Sequence, residues 1–404
     1  MNISIRSTTF LFFIFSLITS QYFLNPAYAG YIFAFLALFS IWLFLPHERI
    51  NVRRRYFLNI STVFFLAWFF STLPVTFIFD PDFRDVARDV GAVLFFFVGR
   101  YLIPNLLSDA RRPSLKVLHL LSIIGIFVAL LTLAGASRAY LSGASAYVWR
   151  GQYIPMVHSW LPYLLVANVA LIQSDKNSAT QYIWRSVLCI VASLASLSRT
   201  DLLLEIIFLV VLLFSHGRVI FKSPRFWPVL LIVIVCAMFF LPKFLQLAVV
   251  QERIEVGFNA TDDASLGWRA IENQSLINFL KADHYESVAF GHGWGARMPL
   301  ISGYVDFVGN NKIPHLHNSF LTIVLKFGVI GLVLFGIYLA SLYRRWWHLR
   351  TSQYQLFAFA GIWIIIFVIG KAITLQGLSE WSHVMFFGLG CGFLASLENT
   401  NTTE

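Results

Sequence analysis

Apolar runs about 20 residues long recur from one end of this 404-residue chain to the other, and they constrain its fold more than any other feature. A run of that length crosses the hydrocarbon core of a bilayer as an α-helix. The chain is 58% hydrophobic and only 12% charged, which leaves too little polar surface to cover a soluble globule of this size. The sequence therefore predicts an all-α, polytopic membrane protein and excludes a water-soluble one.

The apolar runs predict about twelve transmembrane helices. They lie near residues 8–24, 28–45, 57–79, 90–107, 117–135, 158–173, 182–197, 201–215, 227–243, 318–342, 355–374 and 381–397. Lys and Arg cluster in every second turn, so the net charge of +10 reports membrane orientation and predicts contact with membrane lipids, not with nucleic acid. Both termini are then expected on the cytoplasmic side.

The chain shows no linker long enough to separate domains, so we expect a single membrane domain over 1–404. Its largest extramembrane segment is the outer loop 244–317, where helix-like spacing around 266–280 predicts one or two amphipathic helices. Ala27-Tyr28-Ala29 resembles a signal-peptidase site, but the long apolar stretch and the adjoining Pro26 favour a retained first helix.

His317 and Asn318 lie at the junction between the outer loop and the helix expected at 318–342. The positive end of a helix dipole favours the neutral imidazole, which can accept a proton. His317 is therefore a candidate base or hydroxyl-orienting group. The alternative is an interfacial histidine beside a capping Asn318. His315, two residues earlier, is a competitor for the same role.

Arg199 ends the motif Ser196-Leu197-Ser198-Arg199, which forms an outward turn between two predicted helices. The guanidinium group can present its fork of donors to a phosphate, or the side chain can snorkel to lipid head groups. Either role is compatible with the position of this residue at the outer edge of the membrane.

The outer loop carries Gly267-Trp268-Arg269 and, about twenty residues later, the glycine loop 291–295 with the sequence GHGWG. Alternating glycines allow backbone amides to approach an anion or a sugar, although a plain turn is the commoner use. Gly328 and Gly331, further along the chain, fit close packing of helices in the membrane.

The sequence argues against nucleotide-binding, zinc-protease and serine-hydrolase chemistry and against a metal site. Walker, dinucleotide-binding, HExxH and GxSxG motifs are absent from it. The acidic turn with Asp80, Asp82, Asp85 and Asp89 can be read as a metal site, but Arg84 and Arg88 interleave the acids and argue against one. Four charged residues fall inside predicted spans and are given no site role: Arg100, Glu205, Lys326 and Lys371.

Together, SLSR at 196–199, Arg269, the glycine loop and the run from His317 to Gly331 resemble the O-antigen ligase and polymerase superfamily of bacterial envelope glycosyltransferases. The run fits that family's pattern of His, a small polar residue, nine residues, Gly, two residues and Gly. Arg199 with Leu203 fits its Arg-x-x-x-Leu element. The resemblance covers about 185–345, and the first 150 residues match only as generic membrane helices.

The resemblance implies a metal-independent, inverting glycosyltransferase that uses no cofactor. Such an enzyme takes a glycan from undecaprenyl diphosphate at the periplasmic face of the bacterial inner membrane and passes it to an acceptor hydroxyl. The acceptor is lipid A-core for a ligase and a growing polysaccharide for a polymerase. The segment 244–317 is then a periplasmic loop that forms part of the active site.

Within that resemblance, Arg199 and Arg269 are expected to bind the diphosphate, and His317 to orient or deprotonate the acceptor hydroxyl. Further substrate contacts are expected from Asn318, Ser198, Trp268, Gly293, Trp294, His292 and Arg297. The two tryptophans can stack on sugar rings or anchor the loop at the membrane interface.

The position of the large loop, between the ninth and tenth helices, and its His-Asn ending favour a ligase over an O-antigen or exopolysaccharide polymerase. The protein-glycosylating branch, which usually carries an additional C-terminal region, ranks last. A polysaccharide transporter is the alternative from another class. Transporters usually show paired halves with charged residues at matching midplane positions, whereas this sequence gathers its distinctive residues at one outer surface.

Overall fold

The computed structural model describes most of the chain from residue 67 onward. The described ranges are 67–76, 83–102, 113–145, 148–174, 178–221, 227–228, 242–243, 245–251, 264–301, 312–352, 355–374 and 380–395, with the single residues 231, 235, 238 and 378. The predicted helices at 8–24 and 28–45, most of those at 57–79 and 227–243, the tripeptide Ala27-Tyr28-Ala29, and Asp80 and Asp82 lie outside the described residues.

The described residues are mostly helical. The helices are α1 Leu73–Thr76, α2 Phe83–Phe97, α3 Pro113–Leu141, α4 Leu161–Ser174, α5 Ala179–Ala195, α6 Arg199–Phe221, α7 Ala264–Ala282, α8 Tyr285–Phe290, α9 Ser319–Leu349, α10 Gln355–Thr374 and α11 Trp381–Ala395. Wider π-helical turns span Val98–Leu102 and Trp149–Tyr153, and a tight 3₁₀ turn, Met156–Trp160, leads into α4. Two short strands, β1 Met298–Pro299 and β2 Lys312–Ile313, pair antiparallel.

Four segments of the described chain are long and apolar enough to cross a bilayer: Val117–Leu141, Met156–Ser174, Ser319–Leu349 and Gln355–Thr374. The shorter helices Ala179–Ala195 and Trp381–Leu394 are also apolar. These helices confirm the helical membrane protein that the sequence predicts. The total of twelve spans and the periplasmic placement of the outer loop stay predictions.

Contacts divide the chain into two compact units, one formed by 1–114 with 265–404 and the other by 115–264. In the second unit the indole of Trp149 donates a 3.0 Å hydrogen bond to the carbonyl of Ala195. Trp149 shares a buried apolar cluster there with Leu197, so the chain before α4 packs against the turn that precedes α6. The single membrane domain expected from the sequence stays a prediction.

In the first unit α11 lies against α2 at very short range. A Cβ atom added to Gly388 would lie 2.1 Å from the carbonyl oxygen of Phe96. Only glycine allows two helix backbones to approach so closely, which is the usual basis of tight helix packing in membranes. The contact fixes α2, which carries two buried aspartates, in this unit.

Helix α9 is interrupted at Gly328, whose φ of 68° and ψ of −177° are not helical. Gly328 breaks the helix, because its backbone conformation is one that residues with a Cβ rarely adopt. It also allows the close packing expected of it, since an added Cβ would lie 2.1 Å from the carbonyl oxygen of Ala289 on α8. We call residues 319–327, the part before the break, the half-helix. Its nine residues span about 13 Å at the usual rise of 1.5 Å per residue.

Candidate functional site

Asn318 caps the half-helix, and His317 is the residue before this cap. The Oδ1 atom of Asn318 accepts hydrogen bonds from the amides of Phe320 (3.0 Å) and Leu321 (3.4 Å), as expected of a capping asparagine. The side chain of His317 is 35% exposed. The sequence therefore places a partly accessible imidazole at the positive end of a helix, where a base or an anion-contacting group can act.

The carboxylate of Glu272, on α7, holds His317. Its Oε2 atom accepts a 2.8 Å hydrogen bond from the backbone amide of His317, and its Oε1 atom lies 2.9 Å from the ring Nδ1. The indole of Trp268 donates to the same Oε1 atom at 2.6 Å. Trp268 and Glu272 are four residues apart and share one face of α7. The indole N–H of Trp268 thus binds the carboxylate that holds the histidine, and the contact of Trp268 with a sugar stays a prediction.

Arg269 follows Trp268 on α7 and is half-buried. Its Nε atom is fully buried, and no described residue accepts a hydrogen bond from it. Glu272 lies three residues further on, yet the two residues form no ion pair, since Glu272 is engaged by His317 and Trp268. This Nε is a donor that an anionic ligand could use, and it belongs to the helix whose Glu272 binds His317.

The glycine loop binds the other end of the half-helix. The amides of His292 and Gly293 donate to the carbonyls of Leu325 (3.0 Å) and Lys326 (2.9 Å). These are carbonyls that the break at Gly328 would otherwise leave without partners. The amides therefore serve the backbone in this structure, in the role of a turn, and hold in place the helix that begins after His317.

The next two amides of the loop are also engaged within the protein. The amide of Trp294 donates to Oγ1 of Thr76 (2.8 Å), and that of Gly295 to Oδ2 of Asp89 (2.8 Å). The Trp294 side chain is 2% exposed, and its indole donates to the carbonyl of Phe69 at 3.0 Å. Trp294 thus packs inside the first unit, and its contact with a sugar stays a prediction.

Two further residues of this region, expected as substrate contacts, have carboxylate partners. Arg297 forms an ion pair with Asp85. His292 is buried, with Nε2 on the carboxylate of Asp283 and Nδ1 3.2 Å from the carbonyl of Leu325. Burial raises the pKa of Asp283, but hydrogen bonds from the His284 amide and from His292, together with the charge of His292, outweigh that effect and lower it.

Asp89 and Lys326 form a buried ion pair inside the first unit. The ammonium group of Lys326 lies 2.6 Å from both carboxylate oxygens of Asp89 and 3.3 Å from Nδ1 of His315. Burial, with the charges of Lys326 and Arg88, lowers the pKa of His315 well below its usual value, so His315 stays neutral. His315 is thus committed to this buried contact, which leaves His317 as the accessible one of these two histidines.

The described part of the acidic turn offers no cluster of three or more His, Cys, Asp or Glu that could hold a metal ion. Asp85 is bound by Arg297 and Asp89 by Lys326, so basic side chains distant in sequence neutralise both acids. Of the charged residues predicted inside spans, Arg100 also has a partner in this unit: it donates to the hydroxyl of Tyr338 at 2.7 Å.

Arg199 and Ser198 belong to the second unit. Leu197 adopts a left-handed φ of 57°, which turns the chain sharply, and Arg199 then begins α6. The carbonyl of Ser198 accepts the amide of Leu202 at 3.1 Å, so Ser198 starts the hydrogen bonding of that helix and is itself buried. Arg199 is half-buried at the first position of α6, and the predicted turn between two helices is present.

An apolar cleft lies beside the half-helix in the first unit and encloses about 750 Å³, its open mouth included. Aromatic side chains supply much of its lining, and Ser319, Thr322 and Lys326 are the half-helix residues with polar groups on it. Its aromatic residues are Phe69, Phe96, Trp294, Phe327, Phe335 and Phe387. The cleft therefore offers a mainly hydrocarbon surface along the helix that begins after His317.

Sequence reasoning did not assign a role to Glu272 or Asp89. A signal for Glu272 existed in its spacing of three residues from Arg269 and four from Trp268, which puts all three on neighbouring positions of one amphipathic helix. No comparable signal existed for Asp89, because Lys326 is 237 residues away in the chain.

Residues 185–336 match a family model described as O-antigen ligase, and this match supports the superfamily that the motifs indicate. The matched segment contains Arg199, Arg269, the glycine loop and His317. It implies a glycosyltransferase-type enzyme of the O-antigen ligase or polymerase kind. No curated protein and no solved structure matches the chain.

Proposed function

From the O-antigen ligase domain at residues 185–336, we propose that this protein moves a glycan from undecaprenyl diphosphate to a hydroxyl of lipid A-core at the periplasmic face of the bacterial inner membrane. The observation that carries the proposal is the set of groups around the start of the half-helix. His317 has a partly exposed ring there, and the helix that holds it carries Arg269, whose buried Nε has no hydrogen-bond partner among the described residues.

The chemistry of the glycan donor explains why the enzyme needs arginines. A lipid-linked diphosphate already holds the energy for transfer in its bond to the sugar, so the enzyme must stabilise the negative charge of the departing diphosphate. Arginines held in a fixed, partly dry geometry do this well. We assign this work to Arg269 and Arg199, with the buried Nε of Arg269 as the supporting observation for the first.

The transfer is a single displacement. The acceptor oxygen forms a bond to the anomeric carbon while the bond from that carbon to the diphosphate oxygen breaks, and its electron pair leaves on the diphosphate. The proton of the acceptor hydroxyl passes to Nε2 of His317. One displacement inverts the anomeric configuration. The apolar cleft is a suitable place for part of the polyprenyl chain, since its lining is hydrocarbon.

An assay with purified protein, undecaprenyl-diphosphate-linked glycan and lipid A-core tests the proposal. We expect glycan to appear on lipid A-core without an ion gradient and in the presence of a chelator. His317→Ala should reduce transfer about 100-fold or more. His284→Ala, which removes an exposed histidine of the same loop, is the matched control and should keep full activity. Full activity in His317→Ala, or loss of activity on chelation, would overturn the mechanism.

Gene deletion in the native bacterium separates ligase from polymerase. If the protein is the ligase, full-length glycan should accumulate on the lipid carrier, and lipopolysaccharide should stop at the bare core. If it is a polymerase, single repeats should accumulate and the core should carry at most one repeat. The second outcome would mean that the protein is a glycosyltransferase whose acceptor is a growing polysaccharide instead of lipid A-core.

A further inference from the structure

Three donors converge on the buried carboxylate of Glu272. The indole of Trp268 and the ring Nδ1 of His317 share Oε1, and the backbone amide of His317 binds Oε2. The residue is only 2% exposed. A carboxylate so buried is stable only when its oxygens have partners, and here both have them. The position of Glu272 is therefore fixed by the same contacts through which it holds His317.

Two of these contacts restrict the histidine ring. Glu272 binds both the backbone and the side chain of His317, so the ring cannot rotate without losing a hydrogen bond. An ionised carboxylate only accepts hydrogen bonds, and Nδ1 must therefore carry the ring proton. The neutral imidazole then has its lone pair on Nε2, and no described residue bonds to that atom.

We propose that Glu272 is a positioning residue for glycan transfer, which acts through His317. The inference rests on the proposed function. Glu272 keeps the proton on Nδ1, aims Nε2 away from α7, and places a negative charge beside the imidazolium that forms when the acceptor hydroxyl gives up its proton. Trp268 holds the carboxylate in the orientation that this requires.

Position along α7 supports this role. Trp268 and Glu272 are one helical turn apart, and Arg269 comes between them. Helix α7 thus carries both Arg269, the residue proposed to bind the diphosphate, and Glu272, the residue that orients the proposed base. Trp268 also packs against the buried cluster that contains Leu276, Leu316 and Leu325, which ties this helix to residues on either side of His317.

The kinetic test compares Glu272→Gln with Glu286→Gln, which removes the same charge from an exposed position on α8. A glutamine can donate through its amide and so permits the wrong histidine tautomer. For Glu272→Gln we expect kcat to fall about 100-fold or more while KM for donor and acceptor changes only a few-fold. Glu286→Gln should match the wild type. A wild-type kcat in Glu272→Gln would overturn the proposal.

The spectroscopic test needs no Glu272 variant and remains decisive if that variant fails to fold. Protein labelled with ¹⁵N-histidine is compared with His317→Gln, which identifies the two ring signals of His317 by their loss. In the neutral ring we expect the proton on Nδ1 and none on Nε2. A neutral ring with its proton on Nε2 would overturn the assigned role of Glu272.

The two proposals fail in different ways. Absence of transfer by the wild type, or full transfer by His317→Gln, would refute the proposed function or the role of His317 in it. Loss of transfer in His317→Gln together with full transfer in Glu272→Gln would refute only the positioning role of Glu272.

Discussion

The ammonium group of Lys326 lies 2.6 Å from both carboxylate oxygens of Asp89, and both residues are buried. Asp89 belongs to α2, and Lys326 to the last turn of the half-helix. The amide of Gly295 donates to the same carboxylate. One ion pair therefore joins α2, the glycine loop and the half-helix whose start carries His317.

We expect Lys326→Met to lower the free energy of unfolding by about 3–5 kcal/mol, because it leaves the carboxylate of Asp89 buried without its cation. The double variant Asp89→Asn/Lys326→Met should be more stable than Lys326→Met, since the neutral amide can still accept from Gly295. Unfolding of the purified protein in detergent measures both. A double variant less stable than Lys326→Met would contradict the pairing.

Gly328→Ala should destabilise the protein by about 2–4 kcal/mol through backbone strain and overlap. The added Cβ would lie 2.1 Å from the carbonyl oxygen of Ala289, at a residue with a φ of 68°. Gly336→Ala is the matched control on the same helix, since its Cβ would meet nothing within 4 Å. Equal melting temperatures for the two variants would show that the break is not required.

Local features of the sequence predicted much of the fold. Hydropathy and length placed a helix at 355–374, and α10 has those bounds. The capping role of Asn318 followed from its residue type and position, and the structure bears it out. These predictions succeeded because run length, apolar composition and helix capping are decided by residues close together in the chain.

The partners of the site residues could not be predicted in the same way. Glu272 is 45 residues from His317, and Asp89 is 237 residues from Lys326. Which distant side chains meet depends on how the helices pack, and the break at Gly328 moves carbonyls into reach of the glycine loop. The sequence identified Arg269 and His317 as candidates, but not the carboxylate that holds the histidine.

The free energy of unfolding should decrease at acidic pH because Asp283 becomes protonated. The pKa of Asp283 is lower in the folded protein than its usual value of 3.8. A depressed pKa means that the folded state binds this proton less readily than the unfolded state. The contribution is complete above pH 3.8 and is lost as the pH falls through the lower, folded pKa. Asp283→Asn should therefore lower the melting temperature at pH 7.

Measurements on Asp283→Asn at acidic pH provide the control. As the pH is lowered below 3.8, the difference in melting temperature between wild type and Asp283→Asn should shrink, because the wild-type carboxylate becomes protonated. Glu286→Asn, a change at an exposed acid of the same region, should show no such difference at either pH. A difference in melting temperature between wild type and Asp283→Asn that does not change with pH would contradict the lowered pKa of Asp283.

Arg269→Ala should reduce kcat for glycan transfer roughly 100- to 1,000-fold, the range typical of removing one donor that stabilises developing charge. Arg269→Lys should recover only part of this loss, because an ammonium group keeps the charge but lacks the planar fork that fits a diphosphate. Inhibition by inorganic diphosphate should weaken in parallel. Arg344→Ala, an exposed arginine in the last turns of α9, serves as control. If Arg269→Ala kept both its rate and its inhibition by diphosphate, the guanidinium group of Arg269 would have no role in binding the glycan donor.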